Sequence, residues 1–495
     1  MLFRIAATSA VGAIVLAVLG AVTGPAWQPE PLTDPITVET SSTQVGGAPE
    51  RTPGIYEVET SVITVELEGT SVEAQVMVPV GVEEPVPGVV FVHGAGTGRF
   101  SEAFGAQAYE LATAGIVTLV PDKRLDNYST RHRDYVAMAA DYQHSVEVLR
   151  SHPAVDPERV GVYAESEGCW VAPVMAAKDR ELSFVILASA PVVPPRQQAG
   201  FAVDAYLRNT EVPGSVFRAI PRAVGMQFPG GGFEYADFDV QPWQRQVTQP
   251  VFMAYGTDDA SMPTIQGPQQ LVEDVKVAGN EQVTLRYYEG ANHGIKVDGV
   301  LAEGYVRDLA TWVYGLPETA TASPRVAGAQ PVQVYRAEPV PQPRWFGDGD
   351  LVLGIVVAGA ALILLGPLVL LAARLVRRPA GIARGLSAPL TGFAVGCVAT
   401  VLMLVWYLVS IARLALEYER NALVVQGGWI AVRLVGLATV VALAVLVERW
   451  RGVRALPDGR LAARRSGYAG VWMILAGGAL LLVTLAYWGA FQLGI

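Results

Sequence analysis

Cysteine is scarce in this chain. Two residues, Cys169 and Cys397, are spread over 495 positions, which excludes a disulfide framework. Five histidines occur without a close Cys/His cluster, so neither a resident metal nor another cofactor is expected. Charge is scarce too: 17% of residues are charged, against about 25% in an ordinary soluble domain. With 51% hydrophobic residues and a mean hydropathy of +0.33, this excludes both a wholly soluble chain and extended disorder. A basic surface is missing from the middle of the sequence. Residues 55–316 hold 34 acids against 18 bases, which argues against nucleic acid as a partner. Residues 348–495 reverse the balance, with 6 acids and 13 bases in an apolar background, and point to the lipid bilayer. The length allows two or three domains of roughly 100–200 residues each.

A bilayer core of about 30 Å needs about 20 helical residues. Residues 351–373, 385–412 and 466–495 carry no charge, and a fourth run from Trp429 to Val447 contains only Arg433. They predict a C-terminal all-α transmembrane domain, 348–495, with spans at about 351–373, 388–412, 428–447 and 468–491. Arg374, Arg377, Arg378 and Arg384 follow the first span; Arg449, Arg451, Arg454, Arg460, Arg464 and Arg465 follow the third. The positive-inside rule puts both loops in the cytoplasm and the segment before Leu351 outside. At the other end, Arg4 precedes the uncharged residues 5–29, so the chain starts inside and exits outward. Residues 1–27 are a membrane anchor or a signal peptide. Their apolar stretch exceeds the usual 7–15-residue signal core, which favours the anchor. The expected location is the cell membrane, multi-pass, with residues 30–350 extracytoplasmic. Arg433, about five residues from the outer end of its span, is expected to snorkel to the interface or pair with Glu417 or Glu419.

Residues 28–54 and 317–347 are rich in Pro, Ser, Thr and Gly and read as extended linkers. Between them, 55–316 has the length of one α/β domain. Apolar strand patterns at Ile55–Leu67, Thr70–Pro79, Gly88–Val92, Ile116–Val120, Val160–Tyr163, Phe184–Leu187, Val251–Tyr255 and Val283–Tyr288 recur along it. Helical patterns at Ser101–Thr113, Arg133–Ser151, Glu167–Ala177 and Gly299–Tyr314 separate many of them. Such alternation predicts a mainly parallel sheet with helices on both faces, and a site beyond the carboxyl ends of its strands.

The strand Val160–Tyr163 runs into Ala164-Glu165-Ser166-Glu167-Gly168, a nucleophile-elbow pattern with Ala in place of the first Gly. A serine hydroxyl is nearly inert at neutral pH; it needs a base, and the base needs an orienting acid. Gly256-Thr257-Asp258-Asp259 follows the next-to-last strand, and Glu289-Gly290-Ala291-Asn292-His293-Gly294 follows the last. We assign Ser166 as nucleophile, His293 as base and Asp259 as acid, with Asp258 as the alternative. The strand ending at Val92 opens into His93-Gly94-Ala95-Gly96, an oxyanion-loop pattern. The N–H groups of Ala95 and Glu167 are the expected oxyanion donors, with Gly94 and Gly96 on the substrate-binding surface. His93 is expected to be a structural hydrogen-bonder and Cys169 a buried packing residue.

Taken together, these motifs resemble the α/β-hydrolase superfamily. More narrowly they are similar to bacterial serine esterases of the dienelactone-hydrolase and carboxylesterase kind, whose elbow reads Gly-His-Ser-Glu-Gly-Gly followed by Ala-Pro. The likeness covers about 55–316. It rests on the elbow with Ala172-Pro173 behind it, Asp122-Lys123-Arg124, Asp156-Pro157-Glu158-Arg159 and Gly256-Thr257-Asp258-Asp259. Three stretches depart from the pattern: Ala164-Glu165, Cys169 and Leu125-Asp126-Asn127-Tyr128. The resemblance implies an α/β-hydrolase fold with a helical cap inserted at about 191–249. It also implies a serine hydrolase, most directly a carboxylesterase acting on a small-molecule ester or acyl substrate. A peptidase, amidase or thioesterase of the same fold is the first alternative, and a catalytically degenerate binding or sensing head the second. Aromatics of the insertion (Phe228, Phe233, Tyr235, Phe238, Trp243) either line an acyl pocket or pack the cap onto the body; Phe238 and Trp243 are the candidates for substrate contact. Glu165 either raises the pKa of a nearby base or points into solvent.

Overall fold

The computed structural model describes residues 1–210, 212–344, 346–375, 381–416 and 419–492. Arg377, Arg378 and Glu417, invoked above for orientation and pairing, lie outside the described residues, as does the side chain of Arg374. In chain order the helices are α1 (Leu2–Val22), α2 (Gly105–Thr113), α3 (Tyr135–Arg150), α4 (Gly168–Lys178), α5 (Pro195–Asn209), α6 (Ala219–Ala223), α7 (Gln241–Gln244), α8 (Gln266–Val277), α9 (Tyr305–Tyr314), α10 (Gly349–Leu375), α11 (Ser387–Leu416), α12 (Gly428–Arg454) and α13 (Arg465–Tyr487). The strands are β1 (Val58–Leu67), β2 (Thr70–Pro79), β3 (Val86–Val92), β4 (Val117–Pro121), β5 (Val155–Glu165), β6 (Val185–Ala188), β7 (Val251–Gly256), β8 (Val283–Tyr288), β9 (Lys296–Val297), β10 (Val300–Leu301) and β11 (Val326–Gly328). They fall into two compact units. A sheet unit comprises Pro29–Ala202 and Phe233–Pro339; a helical unit comprises Met1–Gln28, Val203–Gly232 and Val340–Ile495.

Strands β3, β4, β6, β7 and β8 are buried along their whole length, which is why they read as unbroken apolar runs. The nine-stranded sheet has the order β1-β2-β4-β3-β5-β6-β7-β8-β11. Antiparallel pairing joins β1 to β2 and β2 to β4; all other pairs are parallel. Alternation along β3 feeds two cores. Val90 and Val92 pack with residues of α3, α4 and α8, while Val89 and Phe91 pack with α2 and α9. The parallel core brings the carboxyl ends of β3, β5, β7 and β8 to one edge, where the oxyanion loop, elbow, acid loop and histidine loop begin.

Of the two stretches read as extended linkers, residues 29–54 and 317–339 belong to the sheet unit and are hydrogen-bonded along it. Glu39 N–H donates to Val326 O at 2.8 Å, Gly328 N–H to Thr40 O at 2.9 Å, and Leu32 N–H to Val334 O at 2.9 Å, and β11 pairs in parallel with β8. Arg286 supplies one reason. Its guanidinium is fully buried and is satisfied by the carbonyls of Thr43, Gln44, Pro324 and Arg325 from these same stretches.

Within the helical unit, α1, α10, α11, α12 and α13 are each long and apolar enough to cross a membrane. Glycines let α10 and α13 touch backbone to backbone: a Cβ on Gly366 would lie 2.7 Å from Gly470 O, and one on Gly477 would lie 2.5 Å from Gly359 O. Arg433 donates to the backbone carbonyl of Gln492. The insertion at 191–249 is not one lobe. Its middle, Val203–Gly232, belongs to the helical unit, where Tyr206, Leu207, Val212, Val216 and Ile220 share a core with Trp27, Trp429, Tyr487 and Phe491.

Candidate active site

Ser166 directly follows β5 with φ at 55°, a left-handed backbone that lifts its side chain out of the sheet edge. The strain is held by hydrogen bonds on either side: Ser166 N–H to Ala188 O at 3.0 Å, and Cys169 N–H to Ser166 O at 2.9 Å. Gly168 is required by space. A Cβ there would lie 2.5 Å from Val92 O and 3.1 Å from His93 O. Gly94 approaches from the other flank, and a Cβ on it would meet Ser166 Cβ at 3.2 Å and Oγ at 3.8 Å.

The structure brings Asp259 and His293 together. Asp259 Oδ2 lies 2.8 Å from His293 Nδ1, while its Oδ1 accepts from Ser261 N–H at 3.0 Å and Ser261 Oγ at 2.7 Å. Asp258 is exposed, so burial distinguishes the two acids. Burial opposes the Asp259 charge, but His293 and the Ser261 hydrogen bonds outweigh it and hold the carboxyl below its usual range. For His293 burial pulls downward, while the charge and hydrogen bond of Asp259 and the charge of Glu165 push it above 6.5. A carboxylate at Nδ1 assigns the proton to that nitrogen and leaves Nε2 as the acceptor. Ser189 Oγ donates to His293 O at 2.7 Å and ties the histidine loop to the end of β6. Gly256 permits the two loops to touch, since a Cβ there would fall 2.1 Å from Ala291 O.

Behind the elbow sits a buried polar cluster. Lys123 Nζ lies 2.6 Å from Gly94 O and 3.0 Å from Glu167 Oε2. The same carboxylate accepts from Tyr128 Oη at 2.8 Å, Arg133 Nη1 at 2.5 Å and Tyr135 Oη at 3.4 Å. Glu165 is partly buried, takes a hydrogen bond from Tyr163 Oη at 3.3 Å, and is pushed upward by burial. His93 is fully buried between Pro121 O at 2.7 Å and Thr97 Oγ1 at 3.3 Å; burial drives it down to about 4, so it is neutral and structural at pH 7. Cys169 Sγ lies 3.4 Å from the carbonyls of Ala164 and Ala188, and burial pushes its thiol well up, which disfavours the thiolate. Phe238 packs edge-on to Tyr135 at 4.9 Å. Trp243 lies 5.9 Å from Lys178 Nζ, at the C-terminal end of α4. That is the end away from Ser166, about 15 Å along the helix. Trp243 therefore packs the body and is not brought to the elbow. Sequence reasoning missed Ser261, Ser189, Tyr128 and Arg133; Asp259-x-Ser261 is the one local signal that was available, and the rest arrive from other elements.

The mainly parallel sheet, with a left-handed serine between strand β5 and helix α4, has the arrangement of an α/β-hydrolase fold. Residues 141–298 match a family model described as BAAT / Acyl-CoA thioester hydrolase C terminal. The match covers about a third of the chain, taking in Ser166, Asp259 and His293 and leaving out the loop at His93–Gly96. No curated protein matches the sequence. Among solved structures the chain is similar to a putative dienelactone hydrolase from Klebsiella pneumoniae, at 14% identity over 54% of this chain and 100% of that one, with a TM-score of 0.38. It is also similar to a dienelactone hydrolase from Anabaena variabilis (19%, 52% and 96%, TM-score 0.37). A third similar structure is a cold-adapted esterase from an Arctic intertidal metagenomic library (17%, 52% and 97%, TM-score 0.34). At these identities the likeness carries no reading of activity.

Proposed function

We propose that this chain is a membrane-tethered extracytoplasmic serine hydrolase, most directly a carboxylesterase. One observation carries the reading: the buried Asp259 carboxylate 2.8 Å from His293 Nδ1, on loops leaving the same sheet edge as the strained Ser166. Ser166 Oγ attacks the ester carbonyl while His293 Nε2 takes its proton. Asp259 stabilises the imidazolium, and the N–H groups of Ala95 and Glu167 receive the oxyanion. His293 then protonates the departing alcohol, and water resolves the acyl-enzyme by the same steps. Among the described residues neither N–H has a backbone acceptor, which supports their assignment.

Contacts inside the helical unit support the placement. Val203–Gly232 meets α1 at its C-terminal end (Arg222 Nη2 to Gly20 O, 2.9 Å) and α10 at its N-terminal end (Gly230 N–H to Asp350 Oδ2, 2.7 Å). It meets Gln492, just beyond the C-terminal end of α13, through Arg218 Nη1 at 2.9 Å. Alternating spans put these three ends on one side, opposite the Arg-rich loops, and so outside by the charge rule. Val203–Gly232 is part of the insertion between β6 and β7, so the sheet unit is expected on that side. Arg222 on Gly20 O and Gln492 Nε2 on Ala17 O, at 2.9 Å, also support a retained N-terminal anchor over a cleaved signal. An outward-facing site favours an ester over a coenzyme A thioester, which is made and spent in the cytosol.

The test uses the full chain in detergent, because truncation would strip Val203–Gly232 of its partners. Short-chain aryl esters should be turned over by the parent and not by Ser166→Ala, and a fluorophosphonate should label only the parent. Equal activity in both, or no turnover and no labelling of the parent, refutes the proposal.

A further inference from the structure

The reaction above leaves Lys123 without a task, although its ammonium is almost fully buried directly behind the elbow. Two hydrogen bonds from that ammonium lead to opposite flanks of Ser166. One goes to Gly94 O at 2.6 Å and the other to Glu167 Oε2 at 3.0 Å. The Gly94 carbonyl belongs to the same peptide unit as the Ala95 N–H. That unit is planar and trans, so holding the oxygen on one side aims the N–H to the other. A cation on the oxygen also polarises the peptide and strengthens its N–H as a donor. On the second flank, Glu167 is the residue whose own N–H is the other donor. Its carboxylate is held by Lys123, Arg133 and Tyr128, which restrains the start of α4. The two cations also neutralise a carboxylate that would otherwise repel charge growing on the substrate oxygen.

We infer that Lys123 is a positioning residue that aims both oxyanion donors, the N–H groups of Ala95 and Glu167, through its bonds to Gly94 O and Glu167 Oε2. The inference rests on the proposed serine-hydrolase reading and deepens it. A lysine that only braces the fold would alter melting; one that aims oxyanion donors alters kcat and the affinity for tetrahedral adducts, and leaves ground-state binding alone.

The test is Lys123→Met in the full chain in detergent, assayed with an aryl ester and with an aryl boronic acid that forms a tetrahedral adduct on Ser166. Loss of one oxyanion donor typically costs about 10²–10³ in kcat, so misaiming both should cost about 10–100-fold. The expected result is that fall in kcat, KM within about threefold of the parent, and boronate affinity weakened by a similar factor. Lys123→Gln, whose shorter neutral side chain gives up the ammonium between Gly94 O and Glu167 Oε2, is the second variant and decides by the same criteria if Lys123→Met does not fold. A folded variant with kcat within twofold of the parent, or a loss carried in KM alone, overturns the inference. Fluorophosphonate labelling of the parent separates the two failures: an unlabelled, inactive parent removes the proposed function and this inference with it, whereas a labelled, active parent with an equally active Lys123→Met removes the inference alone.

Discussion

Replacing Asp259 by Asn is the sharpest perturbation of the candidate site. The carboxylate is fully buried and uses both oxygens: Oδ2 accepts from His293 Nδ1, and Oδ1 accepts twice from Ser261. An amide of the same shape keeps an acceptor for Ser261 but can offer an NH₂ group to Nδ1. The imidazole then prefers its proton on Nε2, where it can no longer accept one from Ser166, and the later imidazolium loses its counter-charge. The equivalent change in a protease triad lowers kcat about 10⁴-fold, or about 5.5 kcal/mol of barrier. Asp258→Asn, on an exposed side chain next door, should stay within about twofold. The assay is aryl-ester turnover by the full chain in detergent, with fluorophosphonate labelling rate as a second readout and a melting curve to certify folding. Folded Asp259→Asn retaining a tenth of parental activity, or Asp258→Asn losing as much as Asp259→Asn, would refute the reasoning.

The pH profile follows from the His293 surroundings. Burial pulls its pKa down and Asp259 and Glu165 push it up, with a net rise, so kcat/KM should increase with pH through a midpoint above 6.5. Glu165→Gln removes one of those charges and should move the midpoint down; an unmoved midpoint contradicts the assignment. Gly256→Ala places a Cβ 2.1 Å from Ala291 O, a backbone atom on the loop that carries His293. It should cost about 1–3 kcal/mol of stability and lower kcat, and calorimetry with turnover checks both. Trp243→Ala should lower the melting temperature yet leave kcat/KM within about threefold, because Trp243 packs at the far end of α4. Alkaline phosphatase fused after Arg464 should be inactive and fused after the C-terminus active; the reverse pattern would turn the topology over.

Much of the fold was legible because burial on both faces leaves a strong local mark. The runs at β2 and β8 coincide with their sequence-based bounds, and β3, β4, β6 and β7 differ by one or two residues. Short elements were not legible. β11 is three residues among prolines, and what makes it a strand is the free edge of β8 and the buried guanidinium of Arg286, neither of which is local. Helix α8 begins with a glutamine- and proline-containing turn and shows its apolar face only where Leu271 and Val275 meet the sheet.

The candidate site divides in the same way. Ser166 announces itself through the small residues a sharp turn demands, and Asp259 and His293 through their places after β7 and β8. Those are constraints of chain order and local sterics, and a one-dimensional record keeps them. By itself the sequence also determined that five stretches are long and apolar enough to span a bilayer, since that depends on composition over about 20 residues. Only the tertiary structure decided which of two adjacent aspartates meets the imidazole, because exposure depends on what packs above a side chain. It alone brought Lys123 from the end of β4 to Gly94 and Glu167, and gave the middle of the insertion to the helical unit. Contacts between residues far apart in the chain depend on how the elements close in space, and no window of neighbouring residues carries that information.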